Sequence, residues 1–213
     1  MNRYLRWQIA SRLLPGAVQV PFVNGSVLVV SPGMQGATQN IYTGLSDFFD
    51  CGFLLHLLRK EDLFVDIGAN VGVYTVLAGA AIGSKAVAIE PIPATFSGLC
   101  ANIRANGMSE RVTAHNIGLG QTEQTLRFTT DRDCMNRVIA EDDWTGKSID
   151  VPVRRLDTVL AGESPTLIKI DVEGYESEVL AGAEATRKTV AAGADCRNGG
   201  VYGQLQRKRG GGP

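Results

Sequence analysis

The sequence predicts an α/β fold: a doubly wound, mostly parallel sheet preceded by an N-terminal helix and a β-hairpin. Three observations carry that prediction. The stretch Leu63–Tyr74, L-F-V-D-I-G-A-N-V-G-V-Y, is an apolar run followed by a glycine turn and then a helical pattern. From Asp62 to Asn116 such runs alternate with helical segments, a βαβαβ rhythm. The rhythm returns at Thr166–Lys188 after a less regular insert. Apolar strands separated by helices imply right-handed crossovers with helices on both faces of the sheet.

The elements follow in order. Met1–Leu14 mixes Arg3, Arg6 and Arg12 with Tyr4, Leu5, Trp7, Ile9, Leu13 and Leu14. Its interspersed charges interrupt the apolar core that a signal peptide needs. Helical spacing makes it an amphipathic helix packed on its own domain, with membrane-surface contact as the alternative. Pro15-Gly16 stops it. Ala17–Val23 and Ser26–Val30 are β-rich runs joined by Asn24-Gly25, a pair suited to a type I′ turn because both central residues need positive φ. Pro21 puts the first run at an edge. Ser31–Asn40 reads as a glycine-rich loop. Ser46 can cap a helix to about Lys60, with Phe49, Phe53 and Leu57 on its apolar face and His56 packed among leucines.

The main unit then opens with strand Leu63–Ile67, helix Val71–Ile82 and strand Lys85–Ile89. Helix Pro93–Asn106, closed by Gly107, and strand Arg111–Asn116 follow. Thr125–Thr130 and Ile149–Val153 look like strands, the latter confined to an edge by Pro152. Arg155–Leu160 is a short helix, Thr166–Ile170 a strand, and Tyr175–Lys188 a helix. Three segments result: a lead-in at 1–60, a ligand-binding unit at 61–188, and a tail at 189–213. The tail carries glycine and basic residues but little hydrophobic periodicity, and reads as aberrant or disordered. Back-translated from Ala194 with freely chosen codons and shifted by one nucleotide, it gives an apolar strand ending in an acid. A frameshift or truncation after about residue 188, with the last strands missing, is therefore expected.

Composition excludes several classes. The chain has 213 residues, 44% hydrophobic and 20% charged, which suits one globular domain. A formal net charge of −1 offers no basic surface for nucleic acid. Cys51, Cys100, Cys134 and Cys196 are scattered, with no Cys-x-x-Cys pair, so a zinc cluster is not expected and a reduced, cytoplasmic setting is. No apolar run approaches the ~18 residues of a membrane span. Nothing in the pattern sets an oligomeric state.

The turn after the first core strand selects its ligand. It lacks the lysine of a P-loop, and where a dinucleotide fingerprint has its middle glycine this sequence has Asn70. The pattern is Asp66-x-Gly68-x-Asn70-x-Gly72. A carboxylate at Asp66 repels a pyrophosphate and suits a ligand that carries a cation, as S-adenosylmethionine does with its ammonium and sulfonium. Glu90 ends the next strand, where a carboxylate can accept both hydroxyls of a ribose. Asn116 ends the third strand, where its amide can meet an adenine edge or cap a loop. Ile168–Glu176, I-K-I-D-V-E-G-Y-E, puts Asp171 and Glu173 at the rim where ligands of open α/β sheets bind.

These motifs resemble the FkbM family of S-adenosylmethionine-dependent methyltransferases. The resemblance rests on F-V-D-I-G-A-N-V-G-V-Y-T (Phe64–Thr75), A-I-E-P (Ala88–Pro91), N-I-G-L-G (Asn116–Gly120), R-L-D-T-V-L (Arg155–Leu160) and L-I-K-I-D-V-E-G-Y-E (Leu167–Glu176), over about residues 35–188. It implies a Rossmann-like, class I methyltransferase sheet of seven strands, one antiparallel, with cofactor roles for Asp66, Gly68, Asn70, Gly72 and Glu90. It also suggests a sugar, glycan or small-molecule hydroxyl as methyl acceptor. In-line transfer to a hydroxyl needs alignment and a proton acceptor. Asp171 is the first candidate, Glu173 the second and His115 the third. Two rim acids could hold one Mg²⁺ through oxygen ligands, but with no third ligand in the pattern no metal is expected. Arg137 and Trp144 in the insert are candidate acceptor contacts. The competing readings are a truncated, non-catalytic protein that keeps the first half of the fold and a nicotinamide-dependent oxidoreductase.

Overall fold

The computed structural model describes residues 16–31, 34–130, 146–172, 174–193 and 200–203, together with Trp7, Ile9, Arg12 and Val138. Glu173, Arg137 and Trp144, to which roles are given above, lie outside them.

Five parallel strands form the central sheet: β3 (Leu63–Ile67), β4 (Lys85–Ile89), β5 (Val112–His115), β9 (Leu167–Ile170) and β10 (Gly200–Gly203), in the order β10-β9-β3-β4-β5. The order reverses at β3, and the glycine turn leaves from that central strand. Alternation along the strands supplies both faces. Phe64, Ala86, Ala88, Val112 and Leu167 join one core with Leu54, Leu77 and Leu99. Leu63, Val65, Ile67, Val87, Ile89, Ile168 and Ile170 join a second core with Leu156, Leu160 and Val179. Trp7 is buried in the first core.

The hairpin forms, with strands shorter than expected and Val23 drawn into the turn. β1 (Val18–Pro21) and β2 (Val27–Val30) pair antiparallel, with Asn24 and Gly25 at φ 50° and 82° and Ser26 N–H donating to Val23 C=O at 3.0 Å. The other edge of β2 meets side chains. Val27 and Val29 N–H donate to Asn106 and Asn102 Oδ1 at 2.8 and 2.7 Å, and Asn106 Nδ2 returns a bond to Val27 C=O. Both asparagines stand on α4 (Pro93–Ala105) or at its end. Asn102 Nδ2 also donates to Val71 C=O in the glycine turn, at 2.8 Å.

Several expectations change. Most of the region read as a loop is helix α1 (Gln35–Thr43), because burial of Asn40 and Ile41 outweighs poor local propensity. Ser46 does not cap the next helix; its N–H and hydroxyl both go to Asn40 Oδ1. α2 (Phe48–Leu57) buries Cys51 and Leu54, with Leu58 behind them, and leaves Phe49 87% and Phe48 67% exposed. His56 is exposed rather than packed. A helix apolar on every side has no face fixed by its pattern, so the fit of the smaller residues decides.

α3 (Val73–Val76) starts two residues late and widens into a π-turn over Leu77–Ile82, with Gly83 N–H reaching Ala78 C=O. Gly79 in that turn lies against Met108 and Val112, which a side chain there would have to displace. The insert forms a sheet of β6 (Gly118–Leu119), β7 (Gln124–Thr129) and β8 (Ser148–Arg154), ordered β6-β8-β7. β8 is central, yet β6 covers only Val153 and Arg154, so Pro152 has a strand on one side alone.

α5 (Leu156–Leu160) precedes β9. The single helix expected to follow β9 is two, α6 (Glu176–Ala181) and α7 (Glu184–Gly193). They break at Gly182, where a Cβ would overlap Gly120 C=O. The tail is corrected as well. Helix continues to Gly193, and β10 pairs parallel with β9 from Gly200↔Leu167 to Gly203↔Ile170, where no further strand was expected. The described central sheet has five strands, all parallel, rather than seven with one antiparallel.

Candidate functional site

The site is the cleft above the C-terminal ends of β9, β3 and β4, about 270 Å³ in volume. Its floor is the first part of the glycine turn, Gly68 to Val71. Gly68, Asn70 and Gly72 all take positive φ (72°, 52° and 88°). Gly68 and Ala69 N–H both donate to Ile89 C=O, which ties the turn to β4. A Cβ on Gly68 would overlap Asp171 C=O, and one on Gly72 would press into Leu99, so both positions demand glycine on two counts. Asn70 tolerates the left-handed conformation because its own Oδ1 accepts Val71 N–H at 2.7 Å.

Glu90 stands at the tip of β4 and lines the cleft. Its Oε2 accepts Asn70 N–H and its Oε1 accepts Ile92 N–H, both at 3.0 Å. Burial pushes its carboxyl up to about 7; the Ile92 and Asn70 amides and Lys169 pull the other way, and Asp66 adds to the rise. Asn116 does not reach the cleft. Its Nδ2 donates to Glu90 and Pro91 C=O at 2.8 and 3.0 Å, which braces the loop carrying Glu90. Those two bonds are what the loop-capping reading expects. His115 is also absent from the lining.

Asp66 differs most from its sequence reading. It is fully buried and does not line the cleft. Thr75 Oγ1 donates to its Oδ2 at 2.7 Å, and Lys169 Nζ lies 3.4 Å from its Oδ1. Lys169 is its in-register neighbour on β9. The same ammonium is 3.3 Å from Asp171 Oδ2, 3.4 Å from Gly68 C=O and 4.9 Å from the centre of the Tyr74 ring. Burial disfavours the lysine's charge, but the two carboxylates outweigh it and hold the ammonium above the ordinary lysine range. Asp171 lines the cleft with its side chain 46% exposed.

The structure thus brings Gly68, Asn70, Glu90 and Asp171 to one cleft, with Asp66 and Gly72 behind its wall. Sequence reasoning missed Lys169, although a lysine between isoleucines in a buried strand signals a charge partner. It also missed Asp47, which lines the cleft from the segment before α2 and has no motif around it. Among the described residues no group of three or more His, Cys, Asp or Glu could hold a metal, and no helix is long and apolar enough to cross a membrane.

Comparison with known proteins bears on this cleft. A family model, the methyltransferase FkbM domain, matches residues 66–194. Methyltransferase 1 of Beauveria bassiana is 32% identical over 149 residues, covering 58% of this chain and 59% of that protein. The hexuronic acid methyltransferase AglP of Haloferax volcanii is 31% identical over 135 residues, covering 61% and 53%. The 31-O-demethyl-FK506 methyltransferase FkbM of Streptomyces tacrolimicus is 27% identical over 205 residues, covering 80% and 74%. The chain therefore spans little more than half the length of the first two relatives.

Proposed function

The chain belongs to the FkbM methyltransferase domain family, and from that premise we propose that it transfers a methyl group from S-adenosylmethionine to a hydroxyl of a sugar or other small molecule. The observation that carries the cofactor is Glu90. Each of its oxygens holds one backbone N–H, which leaves lone pairs free for the two hydroxyls of a ribose. The positive-φ turn beside it lets the backbone approach a ligand closely. A pyrophosphate suits this cleft poorly, because three carboxylates, Asp47, Glu90 and Asp171, line it against one ammonium, Lys169. The hydroxyl acceptor is supported by the names of two relatives, one specifying a hexuronic acid and one an O-demethyl substrate.

When bound, the cofactor supplies a sulfonium methyl that a nucleophile displaces in line. The chain's task is to fix the ribose on Glu90, hold the donor over the Gly68–Val71 backbone and exclude water. The acceptor hydroxyl gives up its proton to a carboxylate. Besides Glu90, Asp47 and Asp171 are the carboxylates lining the cleft among the described residues. Calorimetric titration tests the cofactor: S-adenosylmethionine binds and NAD does not, and the reverse outcome refutes the reading. Candidate sugars incubated with the chain and cofactor gain one methyl group by mass spectrometry.

A further inference from the structure

Asn116 braces the loop that carries Glu90, and the chain runs on from it as Ile-Gly-Leu-Gly. Both of those glycines lie against an aromatic ring. A Cβ on Gly118 would stand 3.1 Å from Phe128 Cζ, and one on Gly120 would stand 3.4 Å from Tyr175 Cε1. Each would also meet Val153 at 3.1 Å, and Val153 pairs with Gly118 across β6 and β8. The two glycines therefore open one face of an extended segment, as residues two apart do. Phe128 and Tyr175 fill the space that side chains there would take, and both rings line the cleft. Phe128 is buried in one cluster with Ile92 and backs the wall. Tyr175 is half-buried and offers the open ring. Its seat is fixed, because Gly182 packs against Gly120 C=O and Val179 N–H donates to Tyr175 C=O at 3.1 Å. Burial pushes its phenol above the ordinary tyrosine range, and Glu178 adds to the rise, so the hydroxyl stays protonated and can donate. Among the described residues that hydroxyl has no hydrogen-bond partner.

Chemistry selects the ligand for this ring. An aromatic face beside groups that accept hydrogen bonds fits a molecule with an apolar face and a polar rim. A pyranose has both, with C–H groups on its face and hydroxyls around its edge. Gln39, Asp47 and Asp171 line the same cleft and can hold such hydroxyls. A planar phenol stacks too, but brings one hydroxyl to several partners. Place separates the ring from the cofactor's ribose: Tyr175 follows β9, Glu90 ends β4, and β3 lies between them. We propose that Tyr175, seated on Gly120, binds the methyl acceptor. A pyranose stacks on its ring, accepts its O–H on a non-reacting oxygen and turns another hydroxyl toward the cofactor. The inference rests on the methyl-transfer reading above and narrows its acceptor to a six-membered sugar ring.

Methyl-transfer kinetics on the full chain test this, with product read by mass spectrometry. The acceptors are the methyl pyranosides of glucose, galactose, mannose and glucuronic acid, with phenol as the planar control. At least one pyranoside is methylated, with kcat/KM about tenfold or more above phenol. For that pyranoside Tyr175→Phe, which keeps the ring on its seat, raises KM about fivefold. Tyr175→Ala, which removes the ring as well, raises it about twentyfold. In both variants the loss lies in KM rather than kcat, as lost ground-state binding does. Calorimetric affinity for S-adenosylhomocysteine stays within about twofold in both and reports an intact fold. An unchanged KM in Tyr175→Ala overturns the proposal. So does an equal loss of S-adenosylhomocysteine affinity, which makes the residue merely structural. Phenol preferred to every pyranoside overturns it, as does a wild-type chain that binds S-adenosylhomocysteine and methylates no pyranoside. Those two outcomes need no variant to fold. A wild-type chain that does not bind S-adenosylhomocysteine instead refutes the cofactor reading.

Discussion

Glu90 is the residue whose chemistry reaches furthest. Its carboxyl titrates near 7 because burial opposes the charge. The folded state therefore holds the proton more tightly than the unfolded chain between about pH 4.5 and 7, and stability falls as pH rises through that window. Ligand binding runs the other way, since a ribose needs the ionised carboxylate as acceptor. Affinity for 5′-methylthioadenosine, which has no group titrating there, is expected to rise about tenfold from pH 6 to 8, following the ionised fraction. Glu90→Gln binds more weakly and shows no such slope; a wild-type titration flat over that range contradicts the assignment. The strand-end acids themselves were legible in the sequence, because a carboxylate beside a glycine turn is a local pattern. The partner of Asp66 was not. Lys169 meets it only through the pairing of β3 with β9, two strands far apart in the chain.

Elements are joined here by a few side chains that replace backbone pairing. Asn102 is fully buried and serves Val29 N–H and Val71 C=O together. Asn102→Ala strands both groups and is expected to cost about 2–4 kcal/mol in urea unfolding; a loss below about 1 kcal/mol contradicts the role given to it. Asp157 on α5 does similar work at the start of α7, where it accepts Ala185 N–H, Thr186 N–H and Thr186 Oγ1. Burial raises its carboxyl, but those donors, with Arg155, win and hold it below the usual range. A depressed acid stabilises above its unfolded pKa and loses that contribution as pH falls through the folded one. Asp157→Ala is thus expected to lose about 1–2 kcal/mol at pH 7, the gap from wild type narrowing in thermal melts as pH falls below the ordinary carboxylate range. Strands and the turn were readable because their signals are local. The faces of α2 were not, since Phe49 and Phe53 match the helical period as well as Cys51 and Leu54 do, and only packing chooses.

At the scale of the molecule, β3 lies between β4 and β9 with both faces covered, while β10 and β5 are the outer strands. Amide hydrogen exchange should be slowest in β3, limited by global unfolding, and faster in β10; equal protection across the five strands would count against this arrangement. The alternating rhythm made four of these strands readable. β10 escaped because Gly-Val-Tyr-Gly carries no apolar period, and a parallel pairing with β9 requires only backbone. The asparagine clasp has one more consequence. Beyond its packing in the first core, the hairpin is hydrogen-bonded to the domain through the asparagines of α4, and the same Asn102 amide also grips the turn that floors the cleft. Whatever takes hold of β1 and β2 from outside, a binding protein or a selected antibody fragment, thereby gains a lever on ligand affinity. A remote surface becomes a control point with one side chain as its fulcrum.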